Sequence, residues 1–96
     1  MMEYPFEKSV LLNTAYDVLE RLNCPLAYAD SRAGVLRFHS GASTGEIDLT
    51  AILRDGAEVT RVEISGTEQE LTGVLYDEIT AALRKNYETD ARRNAS

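Results

Sequence analysis

Apolar residues in the first third of the chain recur at helical spacing. Leu11, Leu12, Ala15, Tyr16, Val18, Leu19 and Leu22 fall on one face, with Asn13, Asp17, Glu20 and Arg21 on the other. The pattern predicts an amphipathic helix with Ser9 as its N-cap, Asn23 as its C-cap and Pro25 as the stop. The period then changes. Leu26–Ala29 and Val35–His39 read as short strands joined by an Asp30–Gly34 turn, and 40–45 (SGASTG) reads as a flexible connection. Ile47, Leu49, Ala51 and Leu53 alternate with Glu46, Asp48 and Thr50, which predicts a strand with one wet face. Asp55-Gly56 is the strongest hairpin signal, and Val62 and Ile64 against Arg61 and Glu63 mark its return strand, from about Glu58 to Ser65.

Thr67 with Glu70 fits a capping box for a closing helix, whose stripe is Leu71, Val74, Leu75, Ile79, Ala82 and Leu83, extended by Tyr87. At the other end, Met2–Phe6 alternates weakly. It reads as an edge strand if it joins the sheet at all, because Pro5 lacks a donor N–H. The resulting order is (β)-α-β-β-β-β-α. It predicts a two-layer α+β domain: an antiparallel meander of four strands, or five with the first, with both helices on one face. The exposed sheet face is expected to carry Asp48, Thr50, Arg61 and Glu63. The domain is expected to occupy 1–90, with a frayed tail at 91–96.

Composition narrows the function classes. A chain of 96 residues makes one domain. Its net charge of -6 argues against binding polyanionic nucleic acid or anionic lipid, both of which reward Lys and Arg. One cysteine and one histidine exclude an internal disulfide and an ordinary Cys/His metal cluster, so no cofactor is expected. The opening MMEYPFEKS has no apolar core of a signal peptide, and no stretch is apolar enough to span a membrane. With a single thiol, the expectation is a cytoplasmic protein.

The run Ala15-Tyr16-Asp17-Val18-Leu19, the Asp30/Gly34 turn, Thr60-Arg61-Val62-Glu63-Ile64 and the long final helix together resemble small bacterial helix/β-meander/helix domains of unknown function. The plan is similar to the TATA-binding-protein-like fold and to a reduced helix-grip fold. The resemblance spans roughly Tyr4 to Tyr87 and implies a fold without supplying active residues. The chain lacks the lipidated cysteine of the envelope lipoproteins that share the first of these folds, so their function is not carried over.

Individual residues offer limited chemistry. His39 is the natural candidate for proton transfer, with Asp30 or Asp48 as partner, although a lone histidine at a strand end is more often a surface residue. Cys24 follows a helix C-terminus, where the dipole disfavours a thiolate, and reads as structural. The 41–45 segment does not match a phosphate-binding loop, and a strand rather than a helix follows it. The acidic residues match no calcium loop and read as solvated charge. Five tyrosines remain, of which Tyr28, Tyr76 and Tyr87, with His39, are the candidates for lining a pocket or an interface. Core-edge packing is the plain alternative. Three functions follow in order: a non-catalytic interaction module that binds itself or another protein; a small-molecule binder with an apolar pocket between sheet and final helix; and an enzyme using His39.

Overall fold

The computed structural model describes residues 1–95, with side chains as far as Asn86. The elements are β1 (Met2–Tyr4), α1 (Lys8–Arg21), β2 (Leu26–Asp30), β3 (Val35–Ser40), β4 (Ser43–Arg54), β5 (Ala57–Ser65) and α2 (Gln69–Ala95). The strands form one antiparallel sheet in the order β1-β5-β4-β3-β2, giving the α+β architecture expected from the alternation. Met2–Tyr4 does join the sheet, pairing Met2 with Val62 and Tyr4 with Thr60. Pro5 falls just past the strand, where its missing donor breaks no ladder bond.

Alternation sorts the sheet into two faces. Leu36 and Phe38 of β3, Ile47 and Leu49 of β4, and Val62 and Ile64 of β5 turn inward. They meet Leu11, Ala15, Val18 and Leu19 of α1 and Leu75, Ile79 and Leu83 of α2. Each such side chain contributes about 1.5–3 kcal/mol when fully removed from water. The space between the layers is therefore filled by close-packed aliphatic residues and one phenylalanine. Phe38 pairs with Gly45, and its ring occupies the place a side chain there would need: a Cβ on Gly45 would lie 2.3 Å from Phe38 Cζ.

The element ends differ from the sequence expectations in instructive ways. Helix α1 opens at Lys8 with Glu7, not Ser9, as N-cap, and no side chain caps it. The Thr60 hydroxyl donates to Phe6 O at 2.8 Å, and Phe6 packs against the core, which fixes the chain's entry two residues earlier. At the other end Asn23 takes up a left-handed conformation (φ 56°) just after the cap residue Leu22. Cys24 N–H reaches Leu19 O and Asn23 N–H reaches Glu20 O, the paired bonds of a Schellman ending.

The expected capping box of α2 does not form. The helix begins at Gln69 and Thr72 N–H bonds to Glu68 O, so the cap position falls on Glu68, and Thr67 and Glu70 each lie one position before the places a capping box needs. The Thr67 hydroxyl is left buried without a hydrogen-bond partner.

The supposed flexible 40–45 connection is much tighter, because Ser40 pairs with Ser43 and only Gly41 and Ala42 lie between the strands. Gly41 at φ 60° supplies the left-handed step that such a turn needs. The apolar alternation of β4 overstates its core. Ala51 and Leu53 are exposed, Leu53 by 76%, because β4 and β5 continue pairing to Arg54↔Ala57 beyond the helix layer. Val74 is half exposed, at the margin of a stripe centred on Leu75, Ile79 and Leu83. The expected role of Tyr87 and the expected fraying of 91–96 lie outside the described side chains.

Candidate interaction surface

The uncovered sheet face is polar and largely paired within itself. Arg37 Nε donates to Glu46 Oε1 at 2.9 Å across β3 and β4. Arg54 grips Glu3 through two bonds of 2.8 Å, and Arg61 adds a third at 3.2 Å, joining β4, β1 and β5. Hydrogen bonding to Arg54, more than any other influence, holds the Glu3 carboxyl below its ordinary range. Asp48, Thr50, Arg61 and Glu63 lie on this face as the alternation predicted. Asp48 sits between Val35 and Glu63 in the same cross-strand row. Partial burial, then a hydrogen bond to Glu46 and the like charges of Glu46 and Glu63, push its carboxyl up to about 6. Arg37 in turn keeps Glu46 lowered.

His39 lies exposed on the same face, with its Nδ1 3.5 Å from the Thr44 hydroxyl. The Asp48 row is two same-face steps away along β4, about 13 Å at the usual strand rise. Asp30 is in that same row on β2. The sheet therefore does not bring either of the acids considered as its partner against the imidazole. Among the described residues, no group of three or more His, Cys, Asp or Glu is placed to hold a metal ion.

Tyr76 is on the other side of the sheet, among residues packed against the core. Its hydroxyl accepts from Ile64 N–H at 3.0 Å and donates to Val62 O at 3.4 Å. Strand β1 ends its pairing at Met2↔Val62, so Ile64 has no strand partner on that side and the tyrosine hydroxyl supplies the missing contact. Tyr4 is similarly engaged, with its hydroxyl 2.8 Å from Thr80 Oγ1.

Tyr28 differs from these. It is 48% exposed on the outer strand β2, with the Arg37 guanidinium 5.3 Å from its ring centroid and its hydroxyl 3.4 Å from Asp30 Oδ2. Along β2, Leu26, Ala27, Tyr28 and Ala29 are all exposed, and none is charged. A bulge between Leu26 and Tyr28 interrupts the pairing with β3. Where α1 passes beside this strand there is a shallow groove lined by Tyr16, Leu19, Glu20, Cys24, Pro25 and Leu26. The structure thus brings Tyr28 and His39 onto one face and sets Tyr76 apart in the helix layer. Residue-by-residue reading placed a strand at Leu26–Ala29 but took only Tyr28 of it as a candidate, not its edge. Its signal was the unbroken LAYA run with no polar alternation.

Comparison with protein-family models, with curated proteins and with solved structures finds no match for this chain. Among the described residues no helix is long and apolar enough to cross a membrane.

Proposed function

We propose that this chain is a non-catalytic interaction module that binds its partner through the outer edge of β2. The observation that carries the reading is the strand's exposure: from Leu26 to Ala29 the edge is uncharged, with Leu26 and Tyr28 nearly half accessible. Unpaired backbone groups on such an edge are a template for another strand, and native proteins ordinarily blunt them with lysine, proline or a covering element. Among the described residues the bulge, the strand's short length and the terminal Asp30 do so in part, and Leu26–Ala29 carries neither lysine nor proline. The adjoining groove would receive a partner side chain, as in other strand-addition complexes. The filled interlayer space supports a surface site over an interior pocket. The isolation of His39 from Asp30 and Asp48 weighs against proton-transfer chemistry. The acidic balance supports a protein partner over nucleic acid or lipid. Cytoplasmic residence belongs to the same reading and is supported by the free Cys24 thiol.

The test is a photo-crosslinking residue at Ala27 in living cells. The reading expects a covalent adduct that disappears when Ala29→Pro is added. An adduct that survives that substitution, or none at all, refutes it.

A further inference from the structure

We infer that the strand received by β2 is β2 of a second copy of this chain, paired antiparallel about a two-fold axis at Tyr28. This rests on the reading of β2 as the contact edge and adds the partner and the register.

The register follows from which backbone groups face outward. Gly34 N–H bonds to Asp30 O, so Asp30 directs its backbone groups toward β3. His39 N–H bonds to Pro25 O, which points the same way. Backbone groups alternate sides along a strand, so Ala29 presents its N–H and C=O to the outside while Tyr28 faces inward. Ala27 is the extra residue of the bulge: the Leu26↔Phe38 pairing, flanked by His39 N–H on Pro25 O, turns its N–H toward β3 and leaves its C=O outward.

An axis at Tyr28 sets Ala27 opposite Ala29 of the second copy, and Ala29 opposite its Ala27. In each pair the outward Ala29 N–H can donate to the Ala27 C=O of the other copy, so two backbone hydrogen bonds form. The side chains agree with this register. At the two Ala27/Ala29 pairs only methyl side chains meet, which permits close approach. On the open face Tyr28 meets Tyr28 of the second copy in a pair without backbone bonds, where side chains come closest. Each ring would lie between its own Arg37 and its twin. Asp30 of each copy falls opposite Leu26 of the other at the two ends of the seam, and the stretch from Ala27 to Ala29 between them carries no charge.

The test uses the whole chain in sedimentation velocity over a concentration series into the millimolar range. The inference expects a species of twice the chain mass that reverts to monomer with Tyr28→Glu, which sets two carboxylates face to face. Tyr28 is surface-exposed, and an unchanged melting temperature verifies the fold. The register is read by Tyr28→Cys in a Cys24→Ser background, which should oxidise to a covalent dimer. Asp17→Cys in the same background, on the exposed side of α1, should not. A wild-type chain that stays monomeric throughout overturns the self-pairing while the cellular crosslinking at Ala27 still judges the edge itself. A dimer indifferent to Tyr28→Glu forms through another surface and overturns the self-pairing. A dimer that Tyr28→Glu dissolves but Tyr28→Cys does not lock overturns the register.

Discussion

Phe38 and Gly45 face each other on neighbouring strands, and the ring sits where any larger residue at 45 would place its first carbon. Phe38 is fully buried and has little room to yield. Gly45→Ala should therefore cost about 1–3 kcal/mol by overpacking. Urea unfolding measures this, and Phe38→Leu added to it should recover part of the loss. If Gly45→Ala unfolds at the wild-type midpoint, the proposed contact is wrong. Asp48 makes a pH-dependent prediction. Its folded value of about 6 lies above its ordinary 3.8, so the folded state holds the proton more tightly than the unfolded chain does. Its contribution to stability is therefore fully present below about pH 4 and is lost as pH rises through 6. Asp48→Asn should raise the melting temperature at pH 7.5 and leave it nearly unchanged at pH 4. An equal gain at both values would show that ionisation is not the cause.

Among the elements, the ends carry the finer information. Asn23 holds its left-handed turn at modest cost because its short polar side chain tolerates that region, which alanine does not. Asn23→Ala is expected to lose about 1 kcal/mol, while Asn23→Gly should hold or gain, as read by thermal melts. At the edge of β5, Tyr76→Phe should cost about 1 kcal/mol and speed amide exchange at Ile64, whose N–H loses its acceptor.

Periodicity predicted both helices, the four-strand meander and the Asp55-Gly56 hairpin because those features are written locally, in 3.6- and 2-residue repeats and in turn chemistry. Asp55 and Gly56 both have positive φ, as that turn demands. Where a helix starts is decided by distant partners instead, such as Thr60 reaching Phe6, and no local pattern records them. The same holds for exposure. Leu53 and Leu36 look alike in sequence, yet one is 76% accessible and the other fully buried, because helix coverage stops between them. Of the four candidate site residues, Tyr28 lies in the proposed interface, His39 stays exposed beside Thr44, Tyr76 is held by contacts with β5 that local spacing could not disclose, and Tyr87 lies outside the described side chains.

For the molecule as a whole, charge and topology act together. Self-association of a chain with net charge -6 brings like charge together even when the centre of the seam is neutral. Added salt should therefore tighten the dimer, since screening weakens that repulsion. Dissociation constants measured from low to moderate sodium chloride should fall. A rise would mean that attraction between opposite charges, absent from the seam described above, holds the copies together.

The pairing of β1 with β5 also sets an order of events. The β4–β5 hairpin closes through a two-residue turn, and such hairpins form in about 1–10 μs. Met2 must instead find Val62 across most of the chain, with Tyr4 then meeting Thr80 on α2. Closing so long a loop is entropically costly until the sheet it joins already exists. During synthesis, the first strand made therefore waits for the last, and the sheet cannot be completed until β5 has emerged.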